Sequence, residues 1–351
     1  RNLGSGNQSV TVTGTVTGGF GQGIRTQTDG GSGTTSITLN SGADVSASSG
    51  NAIFNDGGDS TTIVNSGGTV TGTISLGGGA DSLTFDGGSF LNVTSFDGGT
   101  GGDSLTFRNV TGNVAGGTVV GMESVTVGNG GNISVSGTLD VDGAFVLDGG
   151  TLNAGTVNGD ITMSNGTLSV ETVNGNVIVS GGTLSPGNSP GLTSIVGDLD
   201  LGVSSTTLLE LGGLIAGTEY DRIDVSDDPG TGGTIEGIAT LAAGAIFDID
   251  FFGAFAASLG DSFDVLIADD IVGDINTLTF EFTGASLGAG LDWNTSFFFF
   301  SGGANDGREA LRLSVVSSET FSVPAPSSLP LFASLLGLIG LGRARRRRKA
   351  R

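Results

Sequence analysis

The 351-residue sequence contains no cysteine and no histidine, and only one lysine, one tryptophan and one tyrosine. Without cysteine there is no disulfide, no thiolate metal site and no thiol nucleophile, a composition compatible with bacterial export. Without histidine, the commonest metal ligand and the commonest general base are missing. Serine–histidine and cysteine–histidine catalysis are therefore excluded, and the usual zinc sites with them. Scarce Trp and Tyr count against a lectin surface, which stacks sugars on such rings; Trp293 and Tyr220 are the two available. Positive charge is scarce and badly distributed. Of 13 Lys and Arg, seven lie after residue 342, so residues 1–321 set six basic side chains against 35 acidic ones, a net −29, while the last thirty carry +7. An acidic body of this kind stays soluble and repels anionic partners.

Glycine is abundant, 67 residues, against an average usage of about 7%. Disorder is not the expected consequence, because hydrophobic residues reach 36% and alternate with polar ones. Runs such as Val10-Thr11-Val12, Ser36-Ile37-Thr38-Leu39 and Asn176-Val177-Ile178-Val179 are separated by Gly, Asn or Asp turns, which predicts many short strands. No helical-period segment of useful length precedes the C-terminal tail.

Internal repetition sets the expected architecture. Residues 149–164 (GGTLNAGTVNGDITMS) align with 165–180 (NGTLSVETVNGNVIVS), and a third copy opens at Gly181 as GGTL before diverging. Thr151, Thr167 and Thr183 are in phase, as are Leu152, Leu168 and Leu184. Upstream, Asp81-Ser82-Leu83-Thr84-Phe85 recurs 22 residues later as Asp103-Ser104-Leu105-Thr106-Phe107. Units this small bury an apolar face only by stacking on one another. Asn-Gly and Gly-Gly corners supply the φ > 0 turns between strands. The fold expected is all-β: a parallel β-helix (solenoid) over residues 1–190, with an antiparallel sandwich as the alternative. At about 4.8 Å per rung such a stack would run roughly 40–60 Å. Residues 181–225, GGTLSPGNSPGLTSIVGDLDLG followed by LLELGG and EYDRIDV, resemble the stem of autotransporter-type passenger proteins. The long run of alternating amphipathic strands that an outer-membrane barrel needs is missing, so a complete autotransporter is not implied.

From about residue 191 glycine thins and phenylalanine rises, with 13 of 20 Phe after residue 240. Strands over 245–252, 262–268, 277–282 and 310–316 are expected to be longer and antiparallel. Residues 191–320 are read as a capping β-domain covering the last rung, whose edge would otherwise be open. Phe297-Phe298-Phe299-Phe300 is expected to be a buried strand of this cap.

The third segment, 321–351, joins three signals. Val323-Pro324-Ala325-Pro326 is extended and cannot continue a helix. An apolar run follows, with Leu329, Leu331, Phe332, Leu335, Leu336, Leu338, Ile339 and Leu341. Arg343, Arg345, Arg346, Arg347, Arg348 and Lys349 then form a basic stop, with Arg351 beyond. The run from 329 to 342 is shorter than the ~20 apolar residues of a full span. Arginines at one end favour a cytoplasmic position for that end, which would leave the body on the far side of the inner membrane. A short hydrophobic helix is expected here. In this order at a C-terminus, the three parts resemble the PEP-CTERM sorting signal of Gram-negative bacteria. That resemblance implies an exosortase-type sorting peptidase as partner, a transient inner-membrane anchor and delivery to the cell surface or extracellular space. Ala325 stands where the family usually has Glu, which leaves the particular sorting enzyme open. The alternative is a simple tail anchor retained in the membrane. A nucleic-acid-binding tail is disfavoured, because the adjoining segment is apolar. The chain begins at Arg1 with no leader, so the leader of an exported protein would have been trimmed or lie outside this sequence.

Two kinds of chemistry merit testing. Residues 98–106 (GGTGGDSLT) match the calcium-binding nonapeptide G-G-x-G-x-D-x-U-x, and 76–84 (LGGGADSLT) match it but for the first Gly. Asp81 and Asp103 are thus candidate calcium ligands, against the plainer reading of solvated Gly-Asp corners. Paired carboxylates (Asp248/Asp250 above all, and Asp221/Asp224, Asp227/Asp228, Asp261/Asp264, Asp269/Asp270) could hydrolyse glycosides. A pectate-lyase-like reaction also wants a basic residue near calcium, and the body holds no Lys. The function expected is that of a non-enzymatic surface or extracellular-matrix protein acting in structure, adhesion or biofilm, in contact with exopolysaccharide. The alternative is a polysaccharide-active hydrolase or lyase on the same scaffold.

Overall fold

A computed structural model describes residues 2–318, apart from positions 5, 20, 29–32, 58–59, 188–189, 227–236, 254 and 285–286. The sorting motif, apolar run and basic stop expected over 321–351 lie outside the described residues. Among the described residues the chain is all-β, its one helical element a 3-10 turn at Ile275–Thr277. None of their helices is long and apolar enough to cross a membrane.

Most strands pair in parallel with the strand one repeat earlier. Ser82–Asp86 lies on Ser104–Arg108 with Leu83 beside Leu105 and Phe85 beside Phe107, so the two DSLTF copies stack letter on letter. Thr167 lies beside Thr183 and Leu168 beside Leu184, the pairing foreshadowed by the sixteen-residue step. A second sheet takes the alternate strands, Thr15–Gly18, Asp44–Asn55, Thr69–Ser75 and Ser89–Asp97, again all parallel. Parallel sheets built from consecutive repeats are compatible with a solenoid.

Alternation within each strand turns this register into a core. Val10, Ile37, Ile63, Leu83, Leu105, Val125 and Phe145 form one inward column. Two residues on, Val12, Leu39, Asn65, Phe85, Phe107, Val127 and Leu147 form another. Each fully buried Leu, Ile or Phe contributes about 1.5–3 kcal/mol. Phe85, Phe90, Phe96 and Phe107 meet as a four-ring cluster, with centroids 4.9–6.3 Å apart. Asn65 is tolerated in its column because it closes its own turn, accepting from Gly68 N–H at 2.7 Å and donating to Gly68 C=O at 3.0 Å.

The antiparallel region is smaller than the sequence predicts. Leu199–Leu211 pairs in parallel with Ile246–Phe251, which pairs in parallel with Thr279–Thr283. The reason is that Leu209 and Leu211, then Phe247, Ile249 and Phe251, are buried at alternate positions and prolong the inward columns. Among the described strands, apart from isolated bridges, antiparallel pairing is confined to Glu309–Ser317, which lies between Ser262–Ala268 and Leu291–Phe299. Residues 1–317 form one compact unit, with strands at Leu192–Val196 paired back to residues 172–174 and on to Arg222–Ser226.

The four-phenylalanine run is not a buried strand. No side chain of Leu291–Phe299 is buried, and Phe298 and Phe299 are 37% and 58% exposed. Only Trp293 and Phe297 pack on the core, Trp293 stacking on Phe282 at 5.3 Å. The strand has a strand partner on one side, and Phe298 lies outward against Arg312 and Phe300 instead of in the core.

Candidate functional site

Asp81 and Asp103 stand immediately before two stacked strands, at a corner where the chain turns inward. Both are buried, 2% and 1% exposed. They belong to a ladder in which each acid accepts the backbone N–H of the preceding rung. Thr61 N–H donates to Asp81 Oδ1, Asp81 N–H to Asp103 Oδ1 at 2.8 Å, and Asp103 N–H to Glu123 Oε2 at 2.5 Å. Burial pushes the Asp103 carboxyl above its ordinary value; the hydrogen bond from Asp81 opposes this, and the charges of Glu123 and Asp97 add to it. Its Oδ2 is buried without a hydrogen-bond partner. Glu123 was not singled out from the sequence, yet Glu123-Ser124-Val125-Thr126-Val127 is a third, conservative copy of DSLTF. Matching acid–Ser–aliphatic–Thr–apolar instead of exact letters would have found it.

The glycines before these acids have a backbone role. Gly77 and Gly99 both take left-handed φ, 91° and 94°, and lie one above the other. A Cβ on Gly99 would fall 1.8 Å from the Gly77 carbonyl oxygen, and one on Gly101 1.4 Å from that of Gly79. Only glycine lets successive turns approach this closely. The nonapeptide resemblance thus coincides with a stacked corner whose repeats sit a full rung apart. Calcium needs six to eight oxygen ligands. Here one oxygen of each aspartate already accepts an amide N–H, and among the described residues no group of three or more acidic side chains is placed to hold a metal. Two aspartates a rung apart, each with one oxygen engaged, supply too few side-chain oxygens for calcium by themselves, and no chemistry is assigned through them.

The carboxylate pairs separate into different roles. Asp248 and Asp250 share the outward face of Ile246–Phe251, as their i, i+2 spacing predicts, beside Glu281 and Glu210 in register. The face is open, and Asp248 has the Thr283 hydroxyl at 3.4 Å. Asp221 is wholly buried and accepts Gly191 N–H and Glu210 N–H, fastening three segments together. Burial pushes its pKa up to about 6; the two amide hydrogen bonds oppose this shift and the Glu210 charge adds to it. Asp224 and Asp269 are bound by one arginine, Arg308, at 2.7 Å each. Asp264 takes Arg312 bidentately at 2.6 and 3.0 Å, and the Phe298 ring lies 3.5 Å from the same guanidinium. Asp261 accepts Ser258 N–H at 2.8 Å. Asp227 and Asp228 lie outside the described residues.

Every described arginine is in an ion pair: Arg25 with Asp56, Arg108 with Asp86, Arg222 with Asp224, and Arg308 and Arg312 as above. A β-elimination centre would need one of these cations unpaired beside its acid.

The most regular exposed feature was not anticipated as a surface. Along the first sheet the outward positions stack as Ser9, Ser36, Thr62, Ser82, Ser104, Ser124 and Ala144, and beside them Thr11, Thr38, Val64, Thr84, Thr106, Thr126 and Val146. These registers run without a bulge from Ser9 to Thr126. These two columns carry hydroxyls and methyls at the strand spacing of about 4.8 Å and no charge, with the Asp86–Arg108 ion pair next along the same face. The sequence signal is S-x-T in five of these seven strands.

Comparison with protein-family models and with curated proteins finds no match to this chain.

Proposed function

We propose that this protein is an exported, non-enzymatic parallel β-helix that acts in the structure or adhesion of the cell surface or extracellular matrix. The observation that carries the reading is the pair of uncharged Ser/Thr columns on the first sheet. In a body so strongly acidic, two uncharged columns that bear hydroxyls at eleven of their fourteen positions form a rigid surface suited to neutral, polyhydroxylated material such as exopolysaccharide. The pairing of the described arginines, and the use of buried acids as amide acceptors, support the reading by removing groups that catalysis would need. Delivery is proposed to follow the PEP-CTERM resemblance of residues 321–351: an exosortase-type peptidase recognises Val323-Pro324-Ala325-Pro326 while the apolar run engages the inner membrane, and the body reaches the surface.

Co-sedimentation of the full chain with insoluble neutral polysaccharide and with biofilm matrix tests the face. Thr84→Glu with Thr106→Glu should release the protein several-fold while leaving its circular dichroism unchanged. Depolymerisation of a polysaccharide that is lost in Asp248→Asn would overturn the reading in favour of the acidic face of Ile246–Phe251. For the tail, mass spectrometry of the surface-located protein should show a chain ending before Arg343; an intact basic terminus would favour a retained anchor.

A further inference from the structure

The last antiparallel pair leaves one edge of the sheet open. Leu291–Phe299 pairs with Glu309–Ser317 on one side, and no other described strand pairs with it. Solvated sheet edges are normally blunted by lysine, proline, a bulge or a covering segment. This one carries none of the first three: its sequence is LDWNTSFFF, its register with 309–317 is regular, and its single charge is Asp292. Leu291, Trp293, Phe297, Phe298 and Phe299 are all only partly buried or exposed. An edge both unprotected and apolar marks an interaction surface.

We propose that this edge pairs with the same edge of a second copy, two strands running antiparallel about a two-fold axis at Thr295. The sequence is self-complementary in that register. Leu291 of one copy faces Phe299 of the other, Trp293 faces Phe297, Asn294 faces Ser296, and Thr295 faces Thr295. Aromatic and aliphatic cross-strand pairs of this kind each contribute about 0.2–1 kcal/mol, and no like charges fall opposite each other. Asp292 faces Phe298, on the face where Ser296 neighbours Arg312 and the Arg312 guanidinium stacks on the Phe298 ring. Arg312 is already held bidentately by Asp264, so the register rests on the apolar and hydroxyl pairs and not on charge. A two-fold at Ser296 sets Asp292 beyond the partner strand, and one at Asn294 leaves Phe298 and Phe299 without partners, so each pairs fewer positions than the register centred on Thr295. The isologous contact closes on itself, so it yields a dimer and no filament. The inference stands apart from the reading of the hydroxyl face.

The absence of cysteine makes the register directly testable. Oxidation of the full-chain Thr295→Cys variant should give a disulfide-linked dimer, because residues directly opposite across an antiparallel pair hold their Cβ atoms about 4.5–5.5 Å apart. Leu291→Cys alone should cross-link poorly, but should form a heterodimer when mixed with Phe299→Cys. Sedimentation velocity of the unmodified full chain should show a monomer–dimer equilibrium, and Phe299→Lys should weaken it at least tenfold with unchanged circular dichroism. A chain that stays monomeric overturns the proposal, as does a dimer insensitive to Phe299→Lys. Cross-linking of Thr295→Cys no better than that of a cysteine at exposed Asp306 also overturns it. So does a monomer whose 291–299 amides are protected from hydrogen exchange only while residues 319–351 are present, since the chain's own tail would then cover the edge.

Discussion

Gly99 and Gly102 lie three residues apart in the same corner and should respond oppositely to one added methyl group. At Gly99 the backbone is left-handed, φ 94°, which costs an L-residue about 1–2 kcal/mol. Its new Cβ would lie 1.8 Å from the Gly77 carbonyl oxygen, so the two turns must separate by more than an ångström to reach an ordinary contact. That carbonyl accepts the N–H of Thr100 at 2.9 Å, and the separation breaks the bond, leaving a donor and an acceptor poorly satisfied at about 1–3 kcal/mol. Together Gly99→Ala should cost about 3–5 kcal/mol. At Gly102 a Cβ meets nothing within 4 Å and φ is not left-handed, so alanine restricts only the unfolded chain and should stabilise by about 0.4–1 kcal/mol. Urea denaturation followed by far-UV circular dichroism measures both, and hydrogen exchange over residues 76–108 locates the loosening. If the two variants melt within about 1 kcal/mol of each other, the close stacking of these turns is wrong.

Millimolar calcium, or a chelator, should leave the midpoint of the unmodified protein unchanged, since Asp81 and Asp103 present too few oxygens; a clear upward shift with calcium would restore the metal reading. Phe107→Ala should destabilise by about 3–5 kcal/mol in the same denaturation assay, because the ring is buried against three others and borders an apolar gap of about 10 Å³ that truncation would enlarge. For Asp221, the folded pKa of about 6 lies above the unfolded value, so the fold retains a proton that the unfolded chain sheds; its contribution is full below about pH 4 and is lost as pH rises through 6, by about 1–3 kcal/mol. Asp221→Asn, which loses one of two accepted amide bonds but never charges, should therefore be most destabilising near pH 4 and less so at pH 7; a difference independent of pH contradicts the raised pKa.

Much of the stack could be read from letters alone, where repeats were literal. DSLTF at 81–85 and 103–107, and GGTL against NGTL, announced the pairs that lie in register, because an identical residue one rung on meets an identical environment. The parallel rungs beyond residue 191 were hidden because their columns keep polarity but not identity: Leu209, Ile249 and Phe282 share a register line with no letter in common. Phenylalanine enrichment there suggested a closed cap. Hydrophobicity specifies that a residue seeks burial and cannot say whether the fold supplies a surface to bury it against, which is why Phe298 and Phe299 are exposed where their sequence points to a core strand. The acid ladder was hidden for another reason. Asp81 and Asp103 carry the same sequence pattern whether the turn binds a cation or a backbone amide, and only the position of the next rung decides between them.

The distribution of charge follows from the same geometry. A parallel corner leaves a backbone N–H of each rung pointing at the next, and an acid one rung on can accept it; Asp81, Asp103 and Glu123 do so in one direction along the chain. Asp160, Asn176 and Asp198 do so in the other, accepting from Asn176, Asp198 and Ile238 N–H at 2.8–2.9 Å. Asn176 shows that the requirement is for an oxygen, not a charge, since an amide serves between two carboxylates in the same ladder. The acids of these two ladders are therefore held by hydrogen bonding and not by cations, so the body needs few basic residues: Arg25, Arg108 and Arg222 pair with single acids, and Arg308 and Arg312 fasten the final hairpin. A protein built this way can become strongly acidic without losing its architecture, while its sheet faces remain open to uncharged hydroxyls. Replacing Asp160 or Asp198 by Asn should then cost less than replacing either by Ala, by roughly the 1 kcal/mol of a single accepted hydrogen bond, and equal losses in a denaturation assay would mean that charge, not acceptance, holds these corners.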